Sequence, residues 1–320
     1  MSALRFICAA WVLPAGFSLI AFFGFFTNYT TDVFSRAGIA AQYERSVFRY
    51  RVLGRWLVDT VSAAFEQLSI AWPIPRDFAV MDPSGSAATY WAYAFVHTLG
   101  TCAGCTLLLL MLRRVNRAPI AELVVVAVSM LMALAAFVVT PYDGLFFALQ
   151  MAALALTVAV AARPALLPLA VVTLLAALTR ETAYFIPAFV LAVHHRRILA
   201  GDRAARALLV ASGAIVVLTY IGLRLALGWG GGTVFYAWQA AANLKWTSIA
   251  GTLMLAASLV LLLGPGPNRA PRLWYAVLAV PYILFVHVFA EPWEWRLWIP
   301  IVVPLSALLV MPDAEQAVTA

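Results

Sequence analysis

Long uninterrupted apolar runs restrict the fold of this chain more than any other feature. Only helices or closed barrels satisfy the backbone within lipid, and the strands of a membrane barrel are short and alternate in polarity. Because these runs are continuous, we expect an all-α protein, a polytopic transmembrane helical bundle with about ten membrane segments, a short re-entrant pair among them. The apolar segments lie at 5–27, 88–112, 118–139, 145–162, 164–178, 183–194, 206–227, 248–264, 273–290 and 297–311.

The segments predict one domain with one large loop. Residues 1–312 would form a single transmembrane domain, in which 28–87 is a large outer loop containing interfacial helices, and 313–320 would be a cytoplasmic tail. The first segment is apolar like a secretory signal, but phenylalanines stand where small residues would mark a cleavage site. We expect it to be retained as the first helix.

Charge is sparse and unevenly placed. Arginines cluster at 113–117, 196–206 and 269–272, and basic residues are in excess in cytoplasmic loops. Both termini are then cytoplasmic, and the net charge of +7 serves orientation and lipid phosphates rather than nucleic acid. The preference for arginine and the alanine-rich helices are typical of GC-rich bacteria. We therefore expect a multi-pass protein of the bacterial inner membrane whose active face is periplasmic.

The phrase "LTRETAYF" at 178–185 places Arg180 and Glu181 between two short apolar segments. At 1.5 Å per residue, segments 164–178 and 183–194 reach only about 18–22 Å, short of a core of about 30 Å. The pair should rise from the inside and turn early, which leaves both charges at the floor of a cavity. Alternatively, the two charges neutralise each other within a tight turn.

Three short outer links carry acids beside aromatic residues, proline or arginine. They are "PYDG" with Asp143, "TRET" with Glu181, and "EPWEWR" with Glu294 and Arg296. Charges within membrane segments usually line a functional or water-filled space, so we expect a convergent polar site on the outer face. The alternative is that outer links are simply polar.

The outer loop contains one amphipathic stretch at 51–72. Leu53, Leu57, Val61, Phe65 and Leu68 fall on one helical stripe, opposite a polar stripe of Arg51, Arg55, Asp59, Ser62 and Glu66. This pattern is typical of a helix lying in the membrane interface. The arginines at 45, 49, 51 and 55 alternate with aromatic residues, a composition that suits a lipid phosphate. General anchoring to anionic headgroups is the alternative.

Asp32 lies just beyond the first apolar segment. A carboxylate at the mouth of a membrane cavity is a candidate general base for a substrate hydroxyl. It is equally a candidate cap for a following helix.

The order of these features resembles the GT-C superfamily of membrane glycosyltransferases. The local phrases "FRYRVLGRWL" (48–57), "PYDG" (141–144), "LTRETA" (178–183) and "EPWEWRLWIPIVVPL" (291–305) are similar to segments at corresponding places in bacterial members. The resemblance covers most of the chain. It implies a hexosyl- or pentosyltransferase that takes a sugar from a polyprenyl-phosphate donor and passes it, with inversion, to a glycan or lipid acceptor.

The resemblance also implies roles for individual residues. Asp32 would be the catalytic base, with Glu44 as the second choice, and Arg49, Arg51, Arg55, Arg180 and Arg296 would bind the donor phosphate. Asp143, Glu181 and Glu294 would join them as substrate-binding residues. Some members use a divalent cation, which stays open here if Asp32, Asp143, Glu181 and Glu294 converge, and no metal ligand is assigned.

Two features depart from the family pattern. Many members have two adjacent acids at the start of the loop, whereas Val33 follows Asp32; many also carry a soluble C-terminal domain, whereas this sequence ends shortly after its last apolar segment. Either the membrane domain recognises the acceptor or a membrane protein partner does. A transporter, or a non-catalytic lipid-binding or scaffold subunit of an envelope-polysaccharide assembly, are the alternative functions.

Overall fold

The computed structural model describes residues 3–24, 43–44, 47–68, 87–115, 118–136, 142–159, 166–229, 249–266, 268–289 and 297–310. All regular structure in these ranges is helical, which confirms the expected all-α class. The helices are α1 (Ala3–Ile7), a π-helical turn (Cys8–Val12), α2 (Leu13–Gly24), a 3-10 turn (Val47–Tyr50), α3 (Val52–Gln67), α4 (Ala87–Val115), α5 (Ala118–Ala136), α6 (Tyr142–Ala159), α7 (Leu166–Thr179), a 3-10 turn (Glu181–Tyr184), α8 (Phe185–Leu199), α9 (Arg203–Leu227), α10 (Ile249–Leu263), α11 (Arg269–Phe289) and α12 (Ile299–Val310).

Among the described residues, three helical stretches are long and apolar enough to cross a membrane. They are Ala3–Phe22, Ala88–Arg113 and Arg203–Leu227. Shorter apolar helices in the described ranges include Asp143–Val158 and Leu166–Thr179. The protein is therefore a helical bundle with the composition of a membrane protein, and about ten spans stays a prediction.

Contacts divide the bundle into two ends. At one end, which we call the Arg180 end, the Tyr90 hydroxyl donates to the Phe22 carbonyl and Ser62 Oγ lies 2.9 Å from Thr89 Oγ1. At the opposite end, Arg5 Nη2 lies 2.6 Å from Glu122 Oε2. The start and the end of the first apolar segment therefore lie at different ends of the bundle.

The closest helix contact joins α4 to α6 through glycine. A Cβ on Gly144 would lie 2.3 Å from the His97 carbonyl oxygen, and a Cβ on Gly100 would lie 2.4 Å from the Gly144 carbonyl carbon. Small residues let helix backbones approach within a membrane. This contact fixes the first turn of α6, and with it Asp143, against α4.

Two helices differ from the prediction in ways that bear on the site. Within the stretch 51–72, Val52–Gln67 form α3, whose buried residues are Gly54, Val58 and Ser62, while Leu57, Val61 and Phe65 of the leucine stripe are half-buried against the core. Ser62, which the pattern assigned to the polar face, is buried because Thr89 of α4 provides a hydrogen-bonding partner. The second helix is α8, which continues to Leu199 through the basic residues expected in a cytoplasmic link.

The α4–α6 contact predicts opposite effects for two glycine substitutions. Gly144→Ala should lower the midpoint of thermal unfolding in detergent, since overpacking typically costs about 1–3 kcal/mol. Gly213→Ala is the control: no atom lies within 4 Å of its added Cβ, and alanine should stabilise a helix interior by about 0.5–1 kcal/mol. A Gly144→Ala protein as stable as the wild type would contradict the close approach of α4 and α6.

Candidate functional site

A buried ion pair lies at the centre of the Arg180 end. Arg180 Nη1 donates to Asp143 Oδ1, and the two side chains are 1% and 0% exposed. Asp143 lies in the first turn of α6, where the helix dipole favours a carboxylate. The Arg180 guanidinium also lies 5.7 Å from the centre of the Phe146 ring. Asp143, expected in an open link, is therefore inside the protein.

A second ion pair joins the outer loop to the same place. Arg51 Nε lies 3.5 Å from Glu181 Oε2, with side-chain exposures of 7% and 27%. Arg51 immediately precedes α3, and Glu181 opens the 3-10 turn between α7 and α8. The ion pair connects the start of α3 to this turn.

The neighbours Arg180 and Glu181 thus take different partners. Arg180 has an extended backbone, with φ −158° and ψ 141°, while Glu181 starts a 3-10 turn. This change of conformation directs the two side chains to Asp143 and Arg51, so mutual neutralisation within a tight turn does not describe these contacts.

A small pocket lies beside Glu181. Its volume is about 10 Å³, about that of one water molecule. The guanidinium of Arg224 covers one side, 3.4 Å from the centre of the Tyr220 ring and 4.3 Å from that of Tyr50. The pocket is lined by Tyr50, Ala177, Arg180, Glu181, Val216, Tyr220, Leu223 and Arg224.

An open groove of about 530 Å³ runs along α3, within the size range of small-molecule sites. Arg55 lies 4.6 Å over the Tyr43 ring and its Nε is 3.6 Å from Asp59 Oδ2. Trp56 is 62% exposed. The groove is lined by Tyr43, Glu44, Arg49, Val52, Arg55, Trp56, Asp59 and Leu227.

The predicted site residues fall into three groups. One group lines the open groove, one forms the two ion pairs, and one lies outside the described residues. The groove is lined by Glu44, Arg49 and Arg55. The two ion pairs are formed by Arg51, Asp143, Arg180 and Glu181. The residues outside the described ranges are Asp32, Glu294 and Arg296.

Sequence reasoning missed Tyr50, Tyr220 and Arg224. The Tyr50 hydroxyl donates to the Gly228 carbonyl at 2.8 Å, which joins the outer loop to the end of α9. Tyr220 and Arg224 are four residues apart near the end of an apolar helix, and that spacing places them on one face. An arginine and a tyrosine at this spacing near the end of an apolar helix could have indicated a site in the sequence.

Asp143 and Glu181 do not suit a divalent cation. Asp143 and Glu181 are each engaged by an arginine, which competes for the oxygen ligands that hard cations require. Within the part of the chain that the structure describes, no group of three His, Cys, Asp or Glu side chains is close enough to hold a metal ion.

Comparison with known proteins gives no relative: no family model, no curated protein and no solved structure matches the chain. The role of the candidate site is therefore inferred from its geometry alone.

The buried pair predicts strong coupling between Asp143 and Arg180. Asp143→Leu or Arg180→Met alone should lower stability by about 3–5 kcal/mol, because each removes the buried ion pair and keeps the other charge inside the protein. The double variant should recover much of that loss, as measured by thermal unfolding in detergent.

The exposed pair on α3 supplies the control. Arg55 and Asp59 are 53% and 60% exposed, and breaking such a pair should cost about 0–1 kcal/mol. Additive losses from Asp143→Leu and Arg180→Met would contradict the buried ion pair.

Proposed function

We propose that this protein is a membrane glycosyltransferase of the GT-C type, which moves a sugar from a polyprenyl-phosphate donor to an acceptor hydroxyl with inversion. The observation that carries the proposal is the open groove, where Arg49 and Arg55 lie with Glu44, Asp59 and the exposed Trp56. One cavity thus combines cations that can bind a phosphate with a carboxylate that can accept a proton. It also holds an aromatic face that can pack against a sugar or a prenyl chain.

The donor phosphate binds Arg49 and Arg55. Arginine binds phosphate oxygens in pairs, and positive charge stabilises the phosphate as it leaves. Arg51 and Arg180 are already engaged by carboxylates inside the protein. Their role is to hold the loop, α6 and the α7–α8 turn in position.

A carboxylate of the outer loop serves as general base. Glu44 is exposed in the groove, and Asp32 stays the other candidate. The base accepts the proton of the acceptor hydroxyl while the hydroxyl oxygen bonds to the anomeric carbon. The bond from that carbon to the phosphate oxygen breaks, and the electron pair leaves on polyprenyl phosphate.

The site faces the periplasm in this proposal. The arginine clusters at the opposite end lie in the cytoplasm with both termini, and the prenyl chain of the donor stays in the bilayer of the bacterial inner membrane. The acceptor is a glycan or a lipid, recognised by this domain or by a membrane protein partner.

Cysteine labelling tests this orientation. In a background with the three native cysteines replaced by serine, a membrane-impermeant maleimide should label Thr60→Cys in intact spheroplasts. Arg203→Cys, on the exposed start of α9, should be labelled only after the membrane is opened. The reverse pattern would contradict a periplasmic site.

Donor turnover tests the activity. Purified protein in lipid nanodiscs should release polyprenyl phosphate from at least one member of a panel of polyprenyl-phosphate sugars. Replacing the true base, by Glu44→Gln or Asp32→Asn, should lower release by about 10²–10⁴-fold.

Glu66→Gln is the matched control, because Glu66 lies on α3 outside the groove lining. It should release at the wild-type rate. Tight binding of polyprenyl phosphate without release from any donor would overturn the transferase and favour the scaffold function.

A further inference from the structure

The small pocket beside Glu181 combines an acceptor and a donor around a space for one polar group. The Glu181 Oε1 atom is buried and has no hydrogen-bonding partner among the described residues. Its other oxygen, Oε2, faces Arg51. Across the pocket, the Arg224 guanidinium lies against two tyrosine rings. Glu181 therefore lines the pocket with a carboxylate of which one oxygen is not used by the Arg51 ion pair.

The Glu181 carboxylate and the Arg224 guanidinium together suit a hydroxyl group as the occupant of the pocket. An ionised carboxylate only accepts hydrogen bonds and a guanidinium only donates them. A hydroxyl does both, and a volume of about 10 Å³ has room for about one oxygen atom. A buried acceptor left without a donor costs about 1–3 kcal/mol, so an occupant that donates to the Glu181 carboxylate would be stabilised.

The pocket and the open groove are neighbours in the chain and in space. Arg49 lines the groove and Tyr50, the next residue, lines the pocket; Leu227 lines the groove and Arg224, one turn earlier on α9, lines the pocket. A ligand whose phosphate lies on Arg49 can therefore extend its next chemical group towards Glu181.

We propose that this pocket receives one hydroxyl group of the donor sugar, which donates to the Glu181 carboxylate and accepts from Arg224. The inference rests on the proposed transferase and makes the pocket its specificity subsite. A site built to bond a hydroxyl rejects an analogue that lacks it far more strongly than an apolar site can. Glu181 and Arg224 thus distinguish sugars, whereas Arg49 and Arg55 hold the phosphate common to all donors.

Lipid binding to the full-length protein in nanodiscs tests the subsite. The probes are bare undecaprenyl phosphate and undecaprenyl phosphate carrying glucose, mannose, galactose or arabinose. Glu181→Gln and Arg224→Gln should each weaken the preferred sugar-bearing lipid by about tenfold and leave the affinity for the bare lipid unchanged. Glu66→Gln and Arg203→Gln, on α3 and at the far end of α9, are matched controls that should change neither affinity.

Each other outcome overturns the inference in a distinguishable way. Equal losses for bare and sugar-bearing lipid would assign Glu181 and Arg224 to structure alone, and unchanged affinities for both would mean that the pocket holds only water. A wild-type protein that binds neither lipid would overturn the transferase together with its subsite. Thermal unfolding of the same samples shows that each variant is folded when its affinity is measured.

Discussion

The ion pair between Asp143 and Arg180 is the interaction on which the site depends. Two charges within an apolar bundle are stable only when they are paired and hydrogen-bonded. Here the glycine contact between α4 and α6 fixes Asp143, and Asp143 in turn engages Arg180 at the end of α7. Glu181 is then available for Arg51, which joins the outer loop to the bundle. One buried contact thus orders three separate parts of the chain.

This division of charges separates support from binding. The arginines at 51 and 180 are buried and engaged by carboxylates, while Arg49 and Arg55 line an open groove, where the Arg55–Asp59 pair is exposed. Exposed cations meet a phosphate at little cost in broken contacts, whereas a buried pair must first be opened. In the proposed transferase, the donor phosphate therefore binds in the groove and the ion pairs hold the surrounding helices in position. The small pocket recognises the sugar.

Much of the fold follows from the sequence, but the partners in the site do not. Apolar runs predict the helices, and the short segments around Arg180 predict the early turn between α7 and α8. The sequence could not show that Arg180 and Glu181 diverge, because that depends on an extended residue followed by a 3-10 turn. Nor could the leucine stripe of α3 predict that Ser62 is buried, because its hydrogen-bonding partner, Thr89, lies on another helix. The contact between Tyr220 and Arg224 could have been predicted, since residues four apart in a helical segment lie on one face.

The most direct test is an electron cryomicroscopy structure of the protein in nanodiscs with undecaprenyl phosphate. Our account predicts the phosphate in the groove, within hydrogen-bonding distance of Arg49 and Arg55, with the Asp143–Arg180 pair intact. A phosphate bound directly to Arg180 with that pair broken, or one held at the Arg197 and Arg203 end of the bundle, would contradict the separation of support from binding.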